Sequence, residues 1–343
     1  MLMITIRDVA KRANMSLSTV SRVVRGEANV NEKTRAIVLE AMRALRYQPN
    51  QAARTLRNKQ SKTIGMIVSD VENYFYSIVL SRIEKEIKGY EYSMLLSYSN
   101  ESEEEEKQCL DLMLRAQVDG LIYTPVSAKN DEQINALAAQ GIAVLQLYRC
   151  AHQTIDSLVV GDTHGVYLGT KHLLAMGHHR ILLLDAITNI SPSREDGFQL
   201  AMNESAKKMD SAAVLRLPLK GQNENAILQR LKSYQPTALI AGTNTFGYEA
   251  VRACRALNLK IPADISVIVQ DDVSWVPLMG FSAISQPMEK IATTAVEMLF
   301  SRLKSEPEDR ENVFRSVHME LEPSLIMRQS VLDQNDRNAQ GKR

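Results

Sequence analysis

Leu17, Ser18 and Arg22 fall within the stretch Leu-Ser-Thr-Val-Ser-Arg-Val-Val, and their chemistries suit the edges of base pairs. Leucine offers apolar contact to a thymine methyl, serine donates or accepts a hydrogen bond, and the arginine fork matches O6 and N7 of guanine. The three share a surface only if residues 17–24 form a helix. Val20, Val23 and Val24 then turn towards a core, and Leu17, Ser18, Ser21 and Arg22 lie on or near the outer face. Upstream, Ile6, Val9, Ala10 and Ala13 recur at helical spacing, so a first helix has one apolar face. Asn14-Met15-Ser16 breaks that period, and the Ser16 hydroxyl can cap the next helix. Two short helices around a tight turn form the layout of a helix-turn-helix whose second helix enters the major groove N-terminus first.

Charge points the same way. Residues 1–60 hold twelve Lys/Arg against four Asp/Glu, whereas residues 61–343 hold 29 against 36. A basic head on an acidic body assigns phosphate contact to the head, an asymmetry that the net charge of +1 conceals. A three-helix module that docks a protein is the competing structure; turn, cap, core period and charge together favour nucleic acid.

At 343 residues the chain exceeds one comfortable core, so two or three domains are expected, and 45% hydrophobic with 24% charged residues is ordinary globular composition. Cys109, Cys150 and Cys254 are widely spaced without CxxC pairing, and read as small buried residues in a reducing compartment. The N-terminus has no signal-peptide pattern, and no apolar run approaches the roughly 20 residues of a membrane span. A cytoplasmic protein with no membrane partner is expected.

A third helix is expected over 31–47, with Asn31 as N-cap, Ile37, Ala41 and Leu45 along its buried face, and Pro49 ending it. Residues 50–60 have helix-forming composition but are too few to stand alone, and read as a hinge that orders on DNA. From Lys62 short β-rich runs alternate with helical stretches. The runs are Thr63–Ser69, Tyr92–Tyr98, Gly120–Thr124, Ala143–Leu147, Ser157–Val160, Ile181–Asp185, Val214–Leu217, Ala238–Ala241 and Ile265–Val269. Helical patterns fall near 75–89, 101–117, 130–140, 163–176, 195–208, 223–234 and 246–258. This alternation implies right-handed crossovers and two parallel sheets of five or six strands each, with ligands beyond the carboxyl ends of strands. The tail 331–343 is polar and expected to be disordered, with no heptads for a coiled coil.

These residues place the chain beside a known family. Ile6-Arg7-Asp8-Val9-Ala10, Ser18-Thr19-Val20-Ser21-Arg22-Val23, Val30-Asn31, Thr34-Arg35, Tyr47-Gln48-Pro49-Asn50 and Ala53 resemble the lactose/purine-repressor (LacI/GalR) family of bacterial transcription regulators. Looser matches follow in order: Gly65, Asn73 with Phe75, Gly141-Ile142, Arg149, His172-Leu173, Gly177-His178, Arg194 with Gly197, Pro236-Thr237-Ala238, Pro262, Asp264-Ile265-Ser266-Val267, Asp271-Asp272, Gln286-Pro287 and Arg328-Gln329-Ser330. The resemblance spans residues 4–330. It implies an all-α helix-turn-helix head (1–49), a hinge helix (50–61) and an α/β body (62–330) of two Rossmann-like lobes, similar to periplasmic sugar-binding proteins. Lobe 1 would be about 62–158 plus 290–317, and lobe 2 about 159–287 plus 319–330, joined by three crossings.

The resemblance also implies roles. Leu17, Ser18 and Arg22 would contact bases, though helix packing is a competing role for Leu17, and Thr5, Ser16, Thr19, Ser21 and Asn50 would hold phosphates. Leu56 would wedge into the minor groove at the operator centre, with small Ala53 letting two hinges approach. A small-molecule effector, a sugar or sugar derivative, would contact Asn73, Tyr74 and Phe75 from one lobe and Asp162, Ser193, Arg194, Asn244 and Asp271 from the other. Arg194 could instead be bridged within the cleft wall, Asp271 could cap its loop, and Trp275 could stack on a sugar or simply pack. Four positions depart from the family pattern: Thr245 where aspartate is common, Val269-Gln270 for Gly-aromatic, Tyr74 for proline after Asn73, and Tyr148 for the aspartate before Arg149.

Glu103–Glu106 suit the start of a helix, and the scattered histidines lack metal-ligand spacing, so neither a metal nor a cofactor is expected. No P-loop, GxSxG, HExxH or GxGxxG pattern argues for an enzyme. The expected function is a ligand-responsive, dimeric repressor of carbohydrate-metabolism genes bound to a palindromic operator. A metabolite-binding protein with a vestigial head, or a regulator sensing a protein partner, are the rivals.

Overall fold

The computed structural model describes residues 4–24, 27, 29–47, 60–188, 190, 194–205, 213–304 and 316–335. The chain divides into two compact units, residues 1–61 and 62–343.

The first unit holds α1 (Ile6–Ala13), α2 (Leu17–Val24) and α3 (Glu32–Leu45) around Val9, Ala10, Ala13, Val20, Val23, Val38 and Ala41. Thr5 opens α1 by donating its N–H and hydroxyl to the Asp8 carboxylate at 2.8 and 2.7 Å. Asn14 closes it in the left-handed conformation, which asparagine tolerates, and so makes the sharp turn into α2. The Ser16 hydroxyl accepts the Thr19 N–H at 3.1 Å, capping α2. One expectation is corrected here: Ile37 is 44% exposed, and Val38 takes the inward position. Residues 37, 41, 45 and residues 38, 41, 45 both repeat at helical spacing, so periodicity alone could not choose between them.

The second unit contains two six-stranded sheets among the described residues. The first joins β1 (Thr63–Val68), β2 (Ser93–Tyr98), β3 (Gly120–Tyr123), β4 (Ala143–Leu147), β5 (Asp156–Val160) and β11 (His318–Leu321), in the order β11-β5-β4-β3-β1-β2 and wholly parallel. The second joins β6 (Ile181–Ala186), β7 (Val214–Leu217), β8 (Ala238–Ala241), β9 (Ser266–Gln270), β10 (Ser282–Ser285) and β12 (Ser324–Ile326), in the order β12-β10-β9-β8-β6-β7. The order is the same in both, with only β12 antiparallel to its neighbour, so the body is one topology used twice.

Between the strands run α4 (Tyr74–Gly89), α5 (Glu103–Ala116), α6 (Asp131–Ala139), α7 (Asp162–Ala175), α8 (Arg194–Glu204), α9 (Glu224–Tyr234), α10 (Asn244–Ala256), the short α11 (Trp275–Leu278) and α12 (Met288–Lys304). α12 packs on α4, β3, β4 and β5, which returns the chain to the first lobe after β10. The chain therefore crosses between lobes three times. β5 and β11 stay in the first sheet to Val160 and Leu321, so two crossings fall later than the expected divisions at 158/159 and 317/319. The strands β10, β11 and β12 and the helices α11 and α12 are additions to the expected set.

The expected disorder of the tail is also corrected, for residues 331–335. The Leu332 N–H donates to Ser266 Oγ at 2.9 Å, the Leu332 carbonyl meets His178 Nε2 at 2.9 Å, and Asn335 Nδ2 donates to the Ala175 carbonyl at 3.0 Å. Fully buried His178 thus has a structural task, gripping this segment on one nitrogen and Thr237 on the other. No helix among the described residues is long and apolar enough to cross a membrane.

α7 and α8 meet with almost no clearance, because a Cβ on Gly197 would lie 1.9 Å from the Thr163 carbonyl oxygen. Gly197→Ala should therefore destabilise the body by at least about 2 kcal/mol in urea unfolding. Gly89→Ala, where an added Cβ meets nothing within 4 Å, should stabilise it by about 0.5–1 kcal/mol. Equal effects of the two substitutions would show that the helix crossing is not rigid.

Candidate functional site

The outer face of the head carries the groups expected to meet DNA. Leu17 is 44% exposed although it belongs to a helix with a buried valine row, and Ser18 and Arg22 are exposed beside it. Ser16 Oγ lies 2.8 Å from both Ser18 Oγ and Thr19 Oγ1, so three hydroxyls cluster at the α2 N-terminus, where backbone N–H groups also point outward. Arg22 Nε sits 4.0 Å from the Glu27 carboxylate, an exposed pairing too weak to withhold the guanidinium from a base. Ser21 is half-buried. Asn50, Ala53 and Leu56 lie outside the described residues.

In the body, loops beyond the carboxyl ends of β1, β4, β6, β8 and β9 converge on one cleft of about 770 Å³, its open mouth included. Asn73, Phe75, Tyr148, Arg149 and Glu101 line it from the first lobe, and Asp162, Arg194, Thr245, Asp271 and Gln286 from the second-lobe side. Its floor is a chain of amide and carboxylate bonds. Asn244 Nδ2 donates to Asn73 Oδ1 at 2.9 Å and to Asp271 Oδ2 at 3.0 Å, and Gln286 Nε2 donates to Asp271 Oδ1 at 2.8 Å. Arg194 donates to Asp162 at 2.5 Å, and Gln270 Nε2 holds the other oxygen of Asp162 at 2.9 Å. Arg149 forms a two-pronged bond to Glu101 at 2.8 and 2.7 Å and also reaches the Pro125 carbonyl.

Four buried polar atoms at or behind this surface, Arg194 Nε, Tyr148 Oη, Gln270 Oε1 and Gln286 Oε1, have no hydrogen-bond partner among the described residues. Leaving such atoms bare costs about 1–3 kcal/mol each, so the arrangement suits a ligand that brings donors and an acceptor. Tyr148 and Asp271, each the first residue after β4 and β9, both adopt φ of 68°. Tyr148 packs edge-on against Phe75 with ring centroids 4.9 Å apart, giving the cleft an aromatic wall.

The head matches a family model described as "Bacterial regulatory proteins, lacI family" over residues 5–50, and the body one described as "Periplasmic binding protein-like domain" over 170–331. The chain belongs to the lacI family of bacterial regulatory proteins. It is 28% identical over 342 residues to the HTH-type transcriptional repressor PurR of Proteus mirabilis (strain HI4320), covering 96% of this chain and 98% of that protein. A solved Lac repressor dimer bound to operator and the anti-inducer ONPF superposes with a TM-score of 0.81 at 27% identity, covering 96% and 99% of the two chains. The transcriptional regulator CelR in its cellobiose complex, at 21% identity and a TM-score of 0.69, shares the fold over 95% of this chain. The chain is thus a ligand-responsive, DNA-binding transcription regulator and not an enzyme.

Of the effector residues that the family resemblance implies, Asn73, Phe75, Asp162, Arg194 and Asp271 line the cleft, and Asn244 bonds its floor together. Ser193 lies outside the described residues. Tyr74 and Trp275 do not line it, which corrects both expectations. Asn73 caps α4 by accepting the Phe75 N–H, so Tyr74 starts the helix facing outward at 65% exposure. Trp275 opens α11 and packs edge-on against Phe281 and Tyr248, with centroids 5.8 and 6.3 Å apart. Both border an adjoining surface groove with Leu278, Met279, Arg252 and Arg255, which meets the cleft at Asn73 and Thr245. The Arg194 bridge within the cleft wall is present, yet its Nε remains available. Glu101, Tyr148 and Gln286 are cleft residues that sequence reasoning did not select; the departure at Tyr148 was the one available signal.

Burial pushes the Asp271 carboxyl up from an ordinary 3.8 to about 6, partly offset by the hydrogen bonds from Asn244 and Gln286. The folded chain therefore holds this proton more tightly than the unfolded chain. The resulting stability is full below the ordinary 3.8 and is lost as pH rises through about 6. Asp271→Asn cannot ionise, so from about pH 4 to pH 8 wild type should lose about 2 kcal/mol of unfolding free energy relative to the variant. Parallel pH profiles in urea unfolding would remove the assignment.

Proposed function

We propose that this regulator is a cytoplasmic repressor that binds a near-palindromic operator as a homodimer and changes its grip when a sugar or sugar derivative enters the body cleft. The observation that carries the reading is the exposed Leu17–Ser18–Arg22 face of a basic head, in a chain whose body holds a cleft with unpartnered hydrogen-bonding atoms. The Lac repressor relative, described as bound to operator and an anti-inducer, supports the pairing of these two sites in one chain.

In this reading residues 1–49 form the reading head, 50–61 the hinge and 62–330 the sensing body. Leu17 meets a thymine methyl, Ser18 a base edge and Arg22 a guanine, while Thr5, Ser16, Thr19, Ser21 and Asn50 hold phosphates and fix the register. Ala53 and Leu56 act at the operator centre, where the leucine unstacks a base step and kinks the duplex. Two-fold protein symmetry imposes two-fold symmetry on the DNA site. In the cleft, Asn73, Asp162, Arg194 and Asp271 offer hydrogen bonds to hydroxyls, and Phe75 an apolar face to the C–H side of a ring. Ligand and DNA affinities are then coupled reciprocally, because both bias the same equilibrium between body arrangements.

The test begins by selecting an operator from random duplexes with the full chain. Arg22→Ala should weaken the selected site by about 5–150-fold, the span of a lost guanine contact of about 1–3 kcal/mol, and leave random-duplex affinity nearly unchanged. Equal loss on both duplexes would make Arg22 a phosphate contact. Leu56→Ala should weaken the operator at least about tenfold and reduce its bending in a permutation gel; an unaltered bend would rule out the wedge.

A further inference from the structure

We propose that the body cleft is built for an uncharged ligand, because the chain's own carboxylates already occupy both of its arginines. This inference rests on the reading of the cleft as the effector site and names the charge class that site accepts. Arg149 spends NH1 and NH2 on Glu101, at 2.8 and 2.7 Å, and NH1 also reaches the Pro125 carbonyl at 3.1 Å. Arg194 spends NH2 on Asp162 at 2.5 Å, with NH1 3.9 Å from Asp185. Both pairs are largely shielded: side-chain exposure is 10% and 15% for Arg149 and Glu101, and 13% and 17% for Arg194 and Asp162.

The lining carries four carboxylates, Asp70, Glu101, Asp162 and Asp271, against two guanidiniums, Arg149 and Arg194. A phosphate or carboxylate entering here meets no unpaired cation among the described residues of the lining. It must evict Glu101 or Asp162, leaving that carboxylate uncompensated, or sit among acids in a setting that screens charge poorly. What the cleft leaves open is neutral chemistry. Arg194 Nε can donate to a hydroxyl or carbonyl oxygen, Gln286 Oε1 can accept from a hydroxyl or amide N–H, and Tyr148 Oη can do either. An uncharged compound with an acceptor and a donor on one edge completes that set. Its acid or phosphate counterpart keeps the same polar edge and adds a charge with no partner.

The experiment frees each arginine in turn and uses inorganic phosphate as the probe. Full-length wild type, Glu101→Gln and Asp162→Asn are melted with about 5 mM phosphate, and with chloride at equal ionic strength. Anion effects on the head and on solvent are common to all three proteins, so the difference between variant and wild type reads the cleft. Each variant should gain about 2–3 °C from phosphate at tenfold excess over Kd, and wild type should gain nothing beyond that shared background. The two variants break separate pairs, so either one alone carries the result if the other does not fold. Wild type melted with gluconate and with glucose 6-phosphate should also stay unshifted. A phosphate gain in wild type equal to that of the variants, no gain in a folded variant, or stabilisation of wild type by either anionic sugar would overturn the proposal. None of these measurements uses operator DNA, so failure of the repressor reading in DNA binding would be seen separately.

Discussion

One amide ties the two lobes together. Asn244 Nδ2, on the second lobe, donates to Asn73 Oδ1 at 2.9 Å and to Asp271 Oδ2 at 3.0 Å. Asn73 Oδ1 is simultaneously the cap that accepts the Phe75 N–H of α4 at 3.0 Å, and Asp271 holds Gln286, the residue at which the chain leaves β10 for α12. A helix start in lobe 1, the floor of lobe 2 and an interlobe crossing are therefore joined in one polar run. Buried bonds of this kind contribute little when made and cost a great deal when broken, so they fix geometry more than they add stability. A second interlobe contact, Lys220 Nζ to Asn100 Oδ1 at 2.7 Å, stands at the more exposed edge. At the cleft the lobes thus meet through polar bonds that a ligand with similar groups can compete for or extend. That is the condition under which a small molecule alters an equilibrium, since only differential contacts shift it.

The head obeys a different rule. The seven buried residues among its described ones are all apolar, and its turn is set by Asn14 and the Ser16 cap. Nothing in that core changes with the groups on its outer face, so α2 presents Leu17, Ser18 and Arg22 on a rigid support. Rigidity suits reading a fixed base sequence, while a polar seam suits sensing. The two units divide these tasks between an apolar and a hydrogen-bonded design.

Much of this architecture was legible because parallel strands buried on both faces read as apolar runs between helical stretches. Nine of the twelve strands among the described residues lie where those runs predict. The three that escaped are short or poor in the signal: Ser282–Ser285 has serine at both ends, His318–Leu321 is an edge strand with three exposed residues, and Ser324–Ile326 is only three residues long. α12 escaped although Ile291, Ala295 and Leu299 repeat at i, i+4 and i+8 and are all buried. At the cleft, Asn73, Asp162, Arg194 and Asp271 were reached through the family resemblance, position by position, and not through any local pattern. Tyr74 and Trp275 were misplaced because nearness in sequence to a site residue does not fix side-chain direction; helix phase does. Glu101 and Gln286 follow the carboxyl ends of β2 and β10; the first lies in a loop with many acids and the second follows a strand that no apolar run marked.

The duplicated topology explains where specificity resides. β4 and β9 hold the same place in their sheets, and the residue after each, Tyr148 and Asp271, takes the same φ of 68°. Neither tyrosine nor aspartate gains from that region by itself; a side chain held there costs of order 1–3 kcal/mol and persists when its surroundings over-determine it. The following residues, Arg149 and Asp272, each make a two-pronged ion pair, with Glu101 and Arg328 respectively, and so clamp the bend from behind. The scaffold therefore supplies a paired device: a clamped left-handed corner in each lobe, whose side chain lines one cleft. In this chain one corner carries a buried carboxylate and the other an aromatic ring with an unpartnered hydroxyl. Changing the residue at such a corner alters what the cleft recognises while the clamp and both sheets stay as they are, which is how one fold can serve ligands of different shape.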